Sequence, residues 1–362
     1  MRRFLRYVHL FVNSLLVIGL LGAYSSRFID PDLTIIPSFL GLTYPFWLVS
    51  NILYGLFWAI KLDKAFLLPF LAILFGWGIT TDYIRLTPSM DSPDGSYTLL
   101  DHNVRLFGFY QWDENELLRD SILKRLKRER ADILTFQEFY YRAGDVGFKT
   151  KPLVIDATGA TYVHERYTHE FVYDQYFGVV TMSRFPIVHR GEIPFEGEIN
   201  NFCIYTDILL PENDTIRVFN AHLASIHFRK ADYELVEQSK NGELGRWEQF
   251  KATTRKLSTA YVIRAKQIET VMEVVASSPH PVIFAGDLND VPVSYAYGRL
   301  DFELDDAFQK GGPGIGNTYN GAFPYLRIDH IFHSEEIEVR DYRIEPDPWS
   351  DHHPVIVNFN LP

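Results

Sequence analysis

Two apolar runs in this chain stop against acids, and that pairing limits the folds open to it. Pro281-Val282-Ile283-Phe284-Ala285 leads into Gly286-Asp287-Leu288-Asn289-Asp290, and Ser350-Asp351-His352-His353-Pro354 leads into Val355-Ile356-Val357. A short, uninterrupted apolar run bounded by turn residues reads as a buried strand. Each acid then stands where a buried strand meets a loop. Two such strand ends, remote in sequence, build a charged cleft when they converge at one edge of a sheet. Acids and a histidine gathered there suit metal-assisted hydrolysis of a phosphate ester.

Other polar residues stand at further strand ends. Asn103 follows Ser96-Tyr97-Thr98-Leu99-Leu100, and Gln137-Glu138 follows Ile133-Leu134-Thr135-Phe136. Asn220-Ala221-His222 ends the run Thr215-Ile216-Arg217-Val218-Phe219, and Arg327-Ile328-Asp329-His330-Ile331 is a strand with polar residues inserted. In order the chain reads Asn, Gln-Glu, Gly178 through Ser183-Arg184-Phe185-Pro186-Ile187, Asn-x-His, Gly-Asp-x-Asn, Arg-x-Asp and Ser-Asp-His. That ordered set, over residues 96–362, resembles the endonuclease/exonuclease/phosphatase family with its deoxyribonuclease I-like fold. The resemblance implies an α/β fold, a four-layer α/β/β/α sandwich, carrying a divalent-metal-dependent phosphoric ester hydrolase.

Hydrolysis of a phosphate ester needs charge neutralisation, an oriented water and help for the leaving oxygen. Mg²⁺ takes oxygen ligands and keeps several waters, so one or two carboxylates suffice. Glu138 is the first candidate ligand, with the Asn103 amide oxygen beside it; Mn²⁺ is the alternative ion. Family precedent brings Asp351 toward the same ion. Asp287 is the candidate that polarises the attacking water, and Asn289 holds that water or a phosphate oxygen. His352 contacts the phosphate from the other side, with Asp329 resembling the family's carboxylate partner. His222 gives a second contact and is a candidate leaving-group acid; which histidine is the acid stays open. Asn220 and Arg184 are candidate substrate-binding residues. Taken singly, each has a plainer use: Glu138 can cap a helix, Asn103 can close a turn, and Asp287 suits an Asx-turn.

Two departures from the family pattern matter. Arg105 stands where some nuclease members carry an acid, which weakens the likeness to abasic-site nucleases. The Asn-x-His form resembles the deoxyribonuclease I, sphingomyelinase and inositol-phosphatase branches, which pair that histidine with a Glu; Glu170 and Asp174 are the candidates. Arg264 and Gln267 resemble a recurring Arg-x-x-Gln, or else form a plain polar stripe on a helix over 258–277. His330, His333 and His353 invite a zinc reading, but strand alternation turns His330 and His333 to opposite faces. His333 and His353 are therefore expected outside the first ring of ligands or exposed.

Residues 1–84 are a different object. They hold no Glu and three apolar runs, at about 7–24, 39–60 and 65–81, accompanied by Trp47, Trp58 and Trp77. A bilayer core needs about 20 apolar residues per helix. The expectation is a three-helix transmembrane anchor followed by a catalytic domain over 85–362. Arg2, Arg3 and Arg6 precede the first run, and Lys61 and Lys64 separate the second from the third, so the positive-inside rule places both in the cytoplasm. Three spans then put the catalytic domain outside the cell or in the periplasm. Ala23-Tyr24-Ser25 also loosely fits a signal cleavage site. Asn13 and Asn51 inside the runs suit helix–helix contact.

Composition narrows the substrate. Beyond residue 84 there are 29 Lys and Arg against 42 Asp and Glu. Non-specific nucleic-acid binding rests on neutralising phosphates, so this balance disfavours a high-affinity duplex binder. Cys203 is the single cysteine, so no internal disulfide forms. The candidate substrates are a lipid headgroup, a sugar or inositol phosphate, or scavenged DNA or RNA. No obligate protein partner is evident. The non-enzymatic alternative is a membrane-tethered binding domain, opposed by the intact Asp-x-Asn and Asp-His pairs. Elsewhere, Leu117, Leu118, Ile122, Leu123 and Leu126 after Asp113 have helical spacing, strand-like stretches fall at 151–155, 171–181, 203–210, 215–219, 281–285, 328–332, 337–344 and 355–361, and 229–256 reads as a polar surface excursion. Aromatics from Tyr162 to Phe177 and from Tyr319 to Tyr325 are candidates for a substrate rim.

Overall fold

The structure, a computed structural model, describes residues 2–85, 96–109, 115–142, 148–171, 175–197, 200–225, 246–311, 314–321 and 326–361. Asp174 and residues 229–245 lie outside these, as does most of the stretch from Tyr319 to Tyr325. The chain forms two compact units, one of residues 1–79, 224–268 and 293–298, the other of residues 80–223, 269–292 and 299–362.

In the first unit, α1 (Arg2–Ser25), α2 (Ile36–Leu42), α3 (Tyr44–Ile60) and α4 (Leu67–Phe75) pack together. Arg6 pairs with Asp63 at 2.8 Å, while the Tyr24 ring lies 5.9 Å from Tyr44 and 6.5 Å from Phe75. Asn51, buried between these ends, donates to the Leu16 carbonyl at 2.9 Å. Helices α1 and α3 are therefore antiparallel, and α4 returns toward Tyr24. Among the described residues, Arg3–Ser25 alone is long and apolar enough to cross a membrane by itself. Helices α2 and α3 meet at 69° and pass only as a pair, and Lys64–Phe75 is shorter. Three uninterrupted spans are thus corrected to one long helix, a bent pair and a short helix. Proline in the first turn of α3 starts a new helix, and Gly76 ends α4. Arg264 and Gln267 are buried, not a solvent-facing stripe: Arg264 donates to the Ala224 carbonyl at 2.9 Å, and the Gln267 side-chain oxygen accepts from Ala224 N at 2.8 Å.

The strands of the second unit, in chain order, are β1 (Ile84–Arg85), β2 (Tyr97–Asn103), β3 (Ile133–Arg142), β4 (Tyr162–Phe171), β5 (Gln175–Ser183), β6 (Ile187–Pro194) and β7 (Phe202–Leu209). There follow β8 (Thr215–His222), β9 (Val282–Asp287), β10 (Asp305–Asp306), β11 (Gly314–Ile315), β12 (Asp329–His333), β13 (Glu338–Ile344) and β14 (Val355–Asn360). One six-stranded sheet has the order β13-β14-β2-β3-β5-β4, the other β10-β12-β9-β8-β7-β6. Each centres on one parallel pair, β2–β3 and β8–β9. Leu99, Ile133, Val218, Ile283, Ile331 and Val355 belong to a single core between the sheets. Their neighbours Leu100, Leu134 and Ile356 face a second core with Ile122, Leu126 and Val154 from the helices Asn115–Glu129 and Thr150–Thr158. The two-residue period of a strand accounts for this division.

Three local expectations change. Residues 151–155 are helical, not strand: Gly159 closes the helix at φ 74, and the Thr158 hydroxyl bonds back to the Val154 carbonyl. Tyr162–Phe171, the first part of the aromatic stretch from Tyr162 to Phe177, is a strand of its own at a sheet edge, β4. The polar stretch from Arg246 is already helix and runs to Ala276.

Two stability predictions arise here. Arg327 and Asp306 form a fully buried ion pair at 2.6 Å. Asp306→Ala removes this counter-ion from the buried guanidinium and is expected to cost about 3 kcal/mol, read as a shifted denaturation midpoint. His164 of β4 bonds Thr206 of β7 at 2.8 Å across the two sheets. Burial, then the nearby Arg190 and His189 charges, push its pKa down to about 4. The unfolded chain therefore takes up the proton first, and stability falls as pH drops from about 6.5 toward 4. At pH 5 the loss is about 1–2 kcal/mol. His164→Gln is expected to flatten that part of the pH–stability curve.

Candidate active site

The inner faces of both sheets change from oil to polar toward one edge. On β2 the inward residues are Leu99, Asp101 and Asn103; on β3, Ile133, Thr135 and Gln137; on β8, Val218, Asn220 and His222; on β9, Ile283, Ala285 and Asp287. On β12, antiparallel to β9, Asp329 stands opposite Asp287. The C-terminal ends of the two parallel pairs therefore deliver their polar side chains to the same place.

Asp287 is the centre. Its Oδ1 accepts from Asn289 N at 2.7 Å and its Oδ2 from Asn103 Nδ2 at 3.0 Å. His222 Nε2 lies 3.8 Å and His352 Nε2 3.9 Å from Oδ2. Gly286 permits the close pairing: at φ 151, a Cβ there would stand 2.1 Å from the Ala221 carbonyl oxygen. His352 Nδ1 lies 2.9 and 3.0 Å from the two Asp329 oxygens. Burial pulls the His352 pKa down, but Asp329 foremost, then Asp287 and Asp351, hold it well above the ordinary histidine value. His352 thus sits between two acids that favour its protonated form. Asp329 is pushed up by burial and by Asp287, against the opposing pull of His352.

Asn103 Nδ2 also reaches Glu138 Oε1 at 3.4 Å. Glu138 was expected at the end of a strand; it lies inside β3, in a bulge where the pairing slips between Phe136 and Phe139. Phe136 and Phe139 both enter the helix-side core, so Gln137 and Glu138 share the extra step. Glu138 takes φ 50, a left-handed backbone rare outside glycine, which re-aims its carboxylate toward Asn103. Sequence reasoning had no signal for that bulge.

Asp351 lies 3.4 Å from Arg105 Nε, while its Oδ1 is buried with no hydrogen-bond donor. Tyr319 stacks edge-on at 5.2 Å from the His352 ring. Burial first, then Asp351 and, more weakly, Asp287 and Glu138, raise its pKa. Tyr319 therefore borders the same acids, a wall residue that sequence reasoning placed only in a broad rim.

Two expected residues are elsewhere. Asn220 is fully buried beneath the site, donating to the Phe136 and Val180 carbonyls and accepting from Gln137 Nε2. Arg184 sits at the far end of β3, bonded to the Thr158 carbonyl and Asp132. His333 is buried, His330 bonds the Asp290 carbonyl, and among the described residues these histidines form no group that could hold a metal ion. Glu170 has its backbone in β4, and Asp174 lies outside the described residues.

Residues 102–352 match the model of the Endonuclease/Exonuclease/phosphatase family. The chain belongs to this family. Its members are hydrolases acting on phosphoesters, so the chain is a family hydrolase of the phosphatase or nuclease type. Residues 2–83 match a separate family described as a domain of unknown function (DUF8431). No curated protein is significantly similar in sequence. An endonuclease/exonuclease/phosphatase from Beutenbergia cavernae DSM 12333 is 18% identical, with 74% of this chain and 72% of that one covered, at a TM-score of 0.53. The mannosyl-6-phosphatase of Bacteroides thetaiotaomicron VPI-5482 is 17% identical over 73% of this chain and 100% of its own, at 0.54. The human Nocturnin catalytic domain with bound sulfate anion is 17% identical over 75% and 97%, at 0.51. At these identities the likeness establishes the fold, an α/β sandwich of two sheets.

Proposed function

We propose that the chain is a divalent-metal-dependent phosphoesterase, with Asp287 and the Asp329–His352 pair as its working centre. The observation that carries this reading is Asp287 held between Asn103, His222 and His352, with Glu138 on the other side of Asn103. Asp287, Asp329 and His352 have ligand atoms within 4.8 Å of one another and can hold an ion as a group. The Asp329–His352 hydrogen bond, however, already occupies Nδ1. The donorless Asp351 Oδ1 and the Glu138 carboxylate offer hard oxygens, which suit Mg²⁺ better. As oriented, the Asn103 nitrogen faces Glu138 and its oxygen accepts from Arg105 N at 3.1 Å. Asn103 then steers the two carboxylates, and serves as ligand itself only after an amide flip.

Bound Mg²⁺ would supply Lewis-acid charge to the phosphate oxygens. Asp287 orients the attacking water through the carboxylate that Asn289 and Asn103 hold. His352, protonated between Asp329 and Asp287, donates to a phosphate oxygen. His222, facing Asp287 from β8, is placed to give a proton to the leaving oxygen.

For the substrate we favour a small phosphate ester, a sugar phosphate or lipid headgroup. One structural neighbour is named a mannosyl-6-phosphatase, and the excess of Asp and Glu over Lys and Arg in the sequence disfavours a duplex. Residues 1–84 we read as the membrane anchor and 85–362 as the catalytic domain. With α1 crossing and its arginines inside, one or three crossings put that domain outside; the bent α2–α3 pair as a second and last crossing would not. Reporter fusions at residues 30, 62 and 362 distinguish these topologies. The deciding experiment assays full-length protein in detergent with Mg²⁺ against mannose 6-phosphate, inositol phosphates, phospholipids, DNA and RNA. Turnover of one class, lost in chelator, supports the phosphoesterase; divalent-ion binding without turnover of any class argues for the tethered binding domain.

A further inference from the structure

The three last residues of β2 do three different things. Asp101 faces the inner core, bonded by Thr135 at 2.7 Å and Gln137 at 2.8 Å, and Asn103 faces the site. His102, between them, points to the opposite face and is buried there. Its Nε2 lies 3.2 Å from the backbone carbonyl oxygen of His352. The carboxylate of Asp347, at 3.9 Å from the same nitrogen, is beyond hydrogen-bond reach, so the carbonyl is the partner. Carbonyls only accept, so the ring carries its proton on Nε2, and Nδ1 is left buried without a partner.

The other polar atom of that residue's backbone reaches β2 through Ser350 of the same turn. His352 N donates to Ser350 Oγ at 3.1 Å, and Ser350 Oγ donates to the Asn103 carbonyl at 3.0 Å. The turn from Glu345 to Pro354 is closed elsewhere by Glu345 N to the Pro354 carbonyl at 3.1 Å, Arg125 to the Pro346 carbonyl at 2.9 Å and His353 N to the Thr318 carbonyl at 2.7 Å. Of these, the His353 N bond holds the N–H end of the same peptide unit that carries the His352 carbonyl, and the neighbouring Asp351 carbonyl accepts from Asn320 N at 2.6 Å. Among the described residues, His102 is the side chain that holds the His352 carbonyl.

We infer that His102 is a positioning residue: its Nε2–H fixes the peptide of His352, and thereby the place of the His352 ring between Asp329 and Asp287. This rests on the reading of His352 as a phosphate-contacting residue. One side-chain hydrogen bond from β2, that of His102, and one from the turn, that of Ser350 to the Asn103 carbonyl, thus tie the Asn103 strand end and the His352 turn to one another. A misplacement of about 1 Å at such a contact costs on the order of 10²-fold in rate.

The test compares full-length parent protein, His102→Phe and His102→Gln with p-nitrophenyl phosphate and bis-p-nitrophenyl phosphate in Mg²⁺. The Nδ1–H resonance of His352, hydrogen-bonded to Asp329, is followed in parallel by NMR. The expected result is kcat about 10- to 100-fold lower in His102→Phe, KM little changed, and the resonance shifted or broadened. His102→Gln, which keeps a donor near the Nε2 position, should recover most of both. His102→Met replaces His102→Phe should the latter not fold. Parent-like kcat and resonance in the donorless variant overturn the inference, as does an equal loss in His102→Gln, which marks mere repacking. If the parent hydrolyses neither ester, the phosphoesterase reading loses its support, and the resonance alone decides positioning: a shift in His102→Phe but not His102→Gln sustains it, and none refutes it.

Discussion

Asp287→Asn is expected to lower kcat/KM by about 10³-fold while the protein stays folded. Asparagine keeps an oxygen for Asn289 N, so the turn after β9 survives. Its second position, however, becomes an NH₂ facing the Asn103 NH₂, where the native pair is donor to acceptor at 3.0 Å. The change also removes one of the three acids, after Asp329 the strongest, that favour a charged His352 against burial. Water orientation and the phosphate-facing cation are thus damaged together. Steady-state kinetics beside a melting curve separate chemistry from stability. A loss under tenfold, with the melting point unchanged, would remove Asp287 from the mechanism.

Removing the Glu138 charge should have the second large effect. Glu138→Gln is expected to weaken Mg²⁺ or Mn²⁺ binding by at least about 100-fold, since even outer partners of a metal ligand are worth 10- to 100-fold. Activity should fall with it and return in part at high Mg²⁺. Titration calorimetry with Mn²⁺ gives the affinity directly. Because Glu138 sits at φ 50, where glycine is the relaxed residue, Glu138→Gly tests the other half of the argument. It should bind the ion as poorly as Glu138→Gln yet melt no lower, having lost the backbone strain. Unchanged ion affinity in both variants would move the metal to Asp287, Asp329 and His352.

The sequence was most legible where local patterns carry the physics. Apolar runs ending on acids are visible because a buried strand is continuous and its loop is polar; the structure sets Asn103, His222 and Asp287 at the C-terminal ends of β2, β8 and β9, Asp329 at the start of β12 and His352 in the loop before β14. The failures have common causes. Residues 151–155 look like a strand, but a glycine four positions on, in left-handed conformation, closes a helix. Arg184 and Asn220 carry polar groups in the right motif order, yet which end of a strand a residue occupies, and whether its face meets water, depends on its partners. Asn220 met three backbone and side-chain acceptors and donors in the interior instead of a substrate.

The chain by itself determined the two-residue alternation, the ordered polar strand ends, the acidic balance and the apolar first 84 residues, because each is a property of neighbours in sequence. Tertiary structure alone decided the rest. The β3 bulge that turns Glu138 into the site exists because Phe136 and Phe139 must both reach the helix-side core. The charge on His352 exists because Asp329 and Asp287, 42 positions apart in the chain, pair across β9 and β12. The antiparallel pairing of α1 with α3 exists because Asn51 meets the Leu16 carbonyl, 35 positions away in the chain. A one-dimensional pattern states which residues want to be buried, and only the folded neighbours determine what each buried group meets there.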